Sequence, residues 1–157
     1  MRYPMRGFTL VEFVIVVILV GILAATVMIS FNAGRQHSVV VRADEFRRAI
    51  SHAQLTALSQ GARLRLTTTA SGYSVCDTAT CPAILTDPTT GGPFSADFSG
   101  ENVILSAAPI AAIDFDSMGR PQSGGALLAT TTTFTFTGGG NSVSVRVFPI
   151  TGFAQAS

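Results

Sequence analysis

Glu12 is the residue whose position most needs a chemical reason. It is a lone carboxylate near the start of the apolar run within RGFTLVEFVIVVILVGILAATVMI, Arg6 to Ile29. A carboxylate within an apolar helix costs a few kcal/mol on insertion scales, and such residues normally have a named partner. No basic side chain lies within the run. A cut between Gly7 and Phe8 supplies one, because it creates an α-amino group one helical turn before Glu12, with a pKa of about 7.7 to 8.0 and therefore mostly charged at neutral pH. An acid neutralised by the amine of its own or a neighbouring helix also fixes axial register, since a slipped partner leaves both charges unpaired in hydrocarbon.

Other residues that could do chemistry are few. Cys76 and Cys81, in CDTATC, lie well beyond the apolar run, where an exported domain meets an oxidising compartment, and are expected to form a disulfide. His37 and His52 precede them by a helix-like stretch and do not complete a metal site. Both histidines are expected to be surface or interfacial groups, and neither a metal nor a cofactor is expected. Asp114 and Asp116 sit two apart, a spacing that on a strand offers paired carboxylates or calcium ligands. The plainer expectation is a solvent face beside a buried Phe115. Arg63 and Arg65 share one strand face and, with Arg146 nearby, could contact backbone phosphates. The chain has no G-x-S-x-G, H-E-x-x-H or P-loop pattern, and GGGN lacks a following helix, so an enzyme is not expected.

The elements that position these groups are readable from periodicity. Phe8 to Phe31 makes about 36 Å of helix, enough for a bilayer core of about 30 Å. Cleavage behind that run is disfavoured, since Leu23 stands where a small residue is wanted. Arg2 and Arg6 keep the N-terminus cytoplasmic, so the chain after residue 31 is exported. Without those two arginines the formal charge of +1 becomes −1, eight Arg against nine acids, and no strongly charged partner is implied.

Beyond the run, Val39, Ala43, Phe46, Ile50, Ala53 and Ala57 recur at alternating steps of four and three, forming one apolar helical stripe meant to pack on a sheet. Arg42, Asp44, Glu45, Arg47 and Arg48 form a solvated or inter-subunit face. Gly61 is a stop signal. The pattern then shifts to period two. ARLRLTTT and GYSVC read as a hairpin, Pro82 to Gly100 as an exposed loop, and NVILSA and AAIDFD as short strands before the turn SMGRP. TTTTFTFT and SVSVRVF pair around GGGN, with Phe134, Phe136, Val143, Val145 and Val147 facing one core. The tail ITGFAQAS either adds an edge strand or stays loose.

RGFTLVE resembles the leader junction of type IV pilins and type II secretion pseudopilins, which prepilin peptidase cuts after the glycine and methylates on the new terminal amine. The resemblance implies cleavage between Gly7 and Phe8, N-methylation of Phe8, and Glu12 as the assembly and register carboxylate. It divides the chain into a leader at 1–7, a transmembrane and filament-core helix at 8–31, and an exported head at 32–157 whose helix runs to about 60. The expected fold is α+β and pilin-like, with a long N-terminal helix packed on an antiparallel β-sheet.

DFDSMGRP, a Thr-rich strand, a Gly turn, an alternating strand and a terminal TGF are similar to the minor pseudopilin H group and to FimT-like and MSHA-type minor pilins. The implied function is that of a structural subunit assembled into a pilus or secretion pseudopilus, with an MSHA-like or general fimbrial subunit ranked first, a secretion pseudopilin second and a DNA-uptake subunit third. Implied partners are prepilin peptidase, other subunits through the N-terminal helix, and an inner-membrane assembly platform. The implied location is the inner membrane before assembly and the periplasmic pseudopilus or cell surface afterwards. Two alternatives remain: a DNA-binding FimT-like subunit using Arg63, Arg65 and Arg146, and a simple single-pass anchored domain. The few basic residues of the head and their absence from the tail argue against nucleic acid.

Overall fold

A computed structural model of the protein describes residues 9–77 and 80–157, the side chains of 25–37 excepted. Gly7, Phe8, the rest of the leader and the His37 side chain therefore lie outside the described residues. The chain divides into two units, 1–34 and 35–157.

In the first unit the helix α1, Leu10–Gln60, begins. Thr9 caps it, its hydroxyl accepting a hydrogen bond from the Glu12 backbone N–H at 3.3 Å. Satisfying one of the orphan amide donors of a first turn in this way is what favours Ser, Thr, Asp and Asn at that position. Glu12 lies in the first turn, where the helix dipole favours an acid. Among the described residues no helix is long and apolar enough to cross a membrane; the run read at 8–31 includes positions outside them.

The second unit is the head. Here α1 continues with the stripe in place: Val39, Ala43, Phe46, Ile50, Ala53 and Ala57 are all fully buried. Small alanines along the stripe bring the helix close to the strands, and Phe46 fills the space between them. Its ring meets Tyr73 at 5.1 Å, Phe134 at 4.9 Å and Phe136 at 5.4 Å, centroid to centroid. The helix ends as Gly61 turns to φ +62° and the Ala62 N–H reaches back to the Ala57 carbonyl at 3.2 Å. A left-handed residue at that point is cheapest as glycine.

Ten strands follow: β1 Leu64–Thr69, β2 Gly72–Cys76, β3 Ser95–Asp97, β4 Ile104–Ala108, β5 Ala112–Phe115, β6 Pro121–Ser123, β7 Ala126–Leu127, β8 Thr132–Gly138, β9 Asn141–Val147 and β10 Ala154–Ala156. They form two antiparallel sheets where one was expected, in the orders β3-β2-β1-β5-β6-β7 and β10-β9-β8-β4. Phe46 bridges them, since Tyr73 belongs to the first and Phe134 and Phe136 to the second. The hairpin of β8 and β9 buries Phe134, Phe136, Val145 and Val147, with Val143 partly buried.

The interval from Pro82 to Gly100 is more than a loop. It contributes β3, paired with β2, and a fully buried Phe98 that packs 6.0 Å from Phe136. Two aromatics, Phe94 and Phe98, in a Gly- and Asp-rich stretch carry too little period to announce this. The tail takes the edge-strand option: Ala154 pairs with Val147.

Candidate functional site

The head's helix is tied to the sheets by a small number of polar side chains. Gln54, beside the apolar Ala53, donates from its amide nitrogen to the carbonyls of Gly119 (2.8 Å) and Thr151 (2.6 Å). Those carbonyls belong to SMGRP and TGF, so one helix residue clamps two turns that are distant in sequence. The fit is tight. A Cβ on Gly119 (φ +69°) would stand 2.7 Å from Leu58 Cγ, and one on Gly152 (φ +67°) 2.8 Å from Gln54 Nε2. Sequence reasoning missed Gln54, although a polar residue flanking the buried stripe was a usable signal.

Arg42 links the other end of the head's helix to the segment before β4, pairing with Glu101 and, at 2.6 Å, with Glu45. The hydrogen bond from Arg42 holds the Glu101 carboxyl below its usual range despite some desolvation. Burial, helped by the nearby Glu45 carboxylate, pushes the Tyr73 hydroxyl well above its usual value, and it donates to Glu45 at 3.3 Å. Asp44 pairs with Arg47 and Arg48 along the helix. The mixed-charge face is therefore partly a tether and partly solvated.

Asp114 and Asp116 do not form a solvent face; both are buried. Arg65 lies opposite Asp114 in the sheet and grips it with two hydrogen bonds of 2.6 and 2.9 Å. Asp116 lies past the end of β5 and organises the turn. It accepts from the Met118 N–H (2.9 Å), the Arg120 N–H (2.8 Å), Arg120 Nε (2.9 Å) and the Gln122 amide (3.3 Å). Burial opposes ionisation of Asp116, but the bonds from Arg120 and Met118 prevail and keep its carboxyl below the usual range. The pair is structural, and the reading of an exposed acidic face is corrected by cross-strand neighbours that periodicity alone cannot supply.

The arginines read as phosphate contacts are dispersed. Arg63 is exposed, Arg65 is held by Asp114 on β1, and Arg146 is exposed on β9 of the other sheet, opposite Thr133 and Gln155. Cys76 and Cys81 form a disulfide, with Cα atoms 5.0 Å apart. His52 packs edge-on to Phe94 at 5.3 Å and contacts Thr56. Beside it a cleft of about 580 Å³ runs between the helix and the segment of Asp87, Thr89 and Thr90.

Residues 42–151 match the family of the type II transport protein GspH. The chain belongs to that family. Residues 3–28 match the prokaryotic N-terminal methylation motif. The GspH match spans the helix stripe from Ala43 onward, Gln54 with its partners Gly119 and Thr151, and the Asp116 turn. No curated protein matches the chain. Two crystal structures of the type IV minor pilin FimU from Pseudomonas aeruginosa PAO1 share the fold. One is 14% identical, with a TM-score of 0.54 over 78% of this chain and 90% of that one. The other is 15% identical, with a TM-score of 0.51 over 73% and 89%.

This GspH-family chain is a pilin-like, non-enzymatic structural subunit of the minor pseudopilin type, made as a membrane-anchored prepilin and assembled with other subunits. The matched family is a secretion one, which the sequence resemblance had ranked behind a fimbrial subunit.

Proposed function

We propose that the chain enters the inner membrane with its N-terminus cytoplasmic, 1–7 as leader, 8–31 as the span and 32–157 exported. Prepilin peptidase then cuts between Gly7 and Phe8 and methylates the Phe8 amine. The trimmed subunit passes through an inner-membrane platform into a pseudopilus for type II secretion, packing through its apolar N-terminal helix with Glu12 as the register charge. The observation that carries this reading is the methylation motif over 3–28, which includes all three residues. The helix start supports it: with Thr9 as cap, Glu12 lies in the first turn, close in sequence to the amine that cleavage would create. Packing of the apolar segment supplies cohesion, and Glu12 penalises misaligned neighbours.

Nucleic acid is not read as a partner. Arg65 is committed to the buried Asp114, and Arg63 and Arg146 lie on different sheets or beyond their ends. Glu12→Ala tests the register role: membrane insertion stays normal or improves, while incorporation into filaments falls. Normal filament numbers and subunit content in that variant contradict it.

A further inference from the structure

The strand β3 ends the six-stranded sheet, with β2 on one side of it and no strand on the other. Its pairing fixes which backbone groups face outward. The Val75 N–H donates to the Phe94 carbonyl at 3.0 Å and the Phe98 N–H to the Ser71 carbonyl at 2.9 Å, and Ala96 lies opposite Tyr73 between them. Phe94, Ala96 and Phe98 therefore face β2, and the alternation of an antiparallel pair turns the backbone groups of Ser95 and Asp97 to the open side. The Ser95 N–H turns back to the Pro93 carbonyl at 2.8 Å, whereas the Asp97 N–H has no partner among the described residues. An open edge of this kind is a template for an added strand.

The cleft beside His52 reaches that edge. Ser95 lines it together with Tyr73, Phe94 and Asp87 and, from the helix, Arg48 and His52. Asp97 follows Ser95 on the same strand, about 7 Å further along. The open edge, the three rings and the Asp87 carboxylate thus belong to one continuous surface.

Charge selects the occupant. Between Arg65 and Arg120 the sequence has six carboxylates and no Arg, Lys or His. Glu101, Asp114 and Asp116 pair with Arg42, Arg65 and Arg120. Asp87 and Asp97 have no arginine partner among the described residues. The Thr89 and Ser99 amides bond them at 2.8 and 2.9 Å and hold both carboxyls below the usual range, so they are ionised and fixed in place. Across the cleft, Arg48 is drawn to Asp44 at 2.9 Å and Glu45 to Arg42 at 2.6 Å. Two fixed carboxylates beside an open edge repel a second copy of the same edge and favour a strand that carries cations. The aromatic rings suit such a strand too, since the stems and heads of basic side chains lie well on them.

We propose that β3 and the adjoining cleft bind an extended lysine- or arginine-bearing segment of a partner protein, which adds as a strand to the open edge and sets a basic side chain beside Asp87. This contact goes beyond the assembly reading above and is independent of it.

The test titrates the full-length protein, in a non-ionic detergent at physiological salt, with a fluorescein-labelled peptide of alternating threonine and lysine, read by fluorescence anisotropy. The expected result is saturable binding at least tenfold tighter than that of the threonine–glutamate counterpart. It is also at least tenfold tighter than that of a proline–lysine peptide of equal charge, which lacks the N–H groups that an added strand needs. Asp87→Asn and Asp97→Asn keep the oxygen that accepts the turn bond, so each is expected to melt as wild type does and to weaken binding at least threefold. Asp97→Pro removes an N–H that the sheet does not use and is expected to weaken binding further than Asp97→Asn. Amide exchange at Asp97 is expected to slow in the complex. No saturation at millimolar peptide overturns the proposal, as does equal binding of the proline–lysine or the glutamate peptide. Unchanged affinity in both Asn variants, or protection confined to another surface, overturns it as well.

Discussion

Gln54 and Gly119 are 65 positions apart in the chain and 2.8 Å apart in the fold, joined by a hydrogen bond from the glutamine amide to the glycine carbonyl. The same amide reaches Thr151 at 2.6 Å. The helix therefore holds a turn of the six-stranded sheet and a turn near the C-terminus at one point.

Gln54→Ala removes both bonds: the carbonyl of the buried Gly119 loses its side-chain partner, whereas the bond to the exposed Thr151 is replaced by water. A lost hydrogen bond that leaves a buried group unsatisfied costs about 1–3 kcal/mol. Urea denaturation of the full-length protein in detergent is expected to show a loss in that range, with Gln54→Glu no better because a carboxylate cannot donate. A midpoint equal to wild type in both variants contradicts the clamp.

Acid should weaken the head through Asp116 and Glu101. Both carboxyls lie below their ordinary values in the fold, Asp116 because the bonds from Arg120 and Met118 outweigh burial, Glu101 because of Arg42. A depressed folded pKa contributes stability that is present above the unfolded value, about 4, and is lost as pH falls through the folded value. Asp116→Asn is expected to be less stable at pH 7 and to show a shallower decline as pH falls from about 5 towards 2. An unchanged slope in a pH series of melting curves contradicts this.

Much of the fold was legible because periodicity reports which face is buried. The stripe from Val39 to Ala57, the β8–β9 hairpin and the Gly61 stop all follow from local spacing. Asp114 was not legible, since its burial depends on Arg65, 49 residues earlier and brought opposite by β1–β5 pairing. Phe98 and the second sheet were hidden for the same reason: alternation shows that a strand has a buried face, not which sheet it joins. At the candidate site Gly7, proposed as the cleavage point, Glu12 and the cysteine pair stood out by residue type, whereas the Gln54 clamp exists only once three segments meet.

The disulfide closes a short loop, five positions from Cys76 to Cys81. Chain-entropy reasoning gives such a loop about 2 kcal/mol, less than a long one. Cys81→Ser, which changes the less buried partner, is therefore expected to lower stability modestly and to abolish the effect of reductant on the melting temperature. A reductant-dependent shift that persists in the variant contradicts the pairing.

Glu12, exposed on the isolated chain, is proposed to be matched in membrane and filament by a terminal amine made on processing. Intact mass and N-terminal sequencing of the subunit recovered from cell envelopes test it most directly, alongside Gly7→Leu. The account predicts a wild-type chain that begins at Phe8 and carries one methyl group on its amine, and a Gly7→Leu chain that retains Met1 to residue 7. A wild-type chain that keeps its leader, or is trimmed anywhere other than ahead of Phe8, contradicts it.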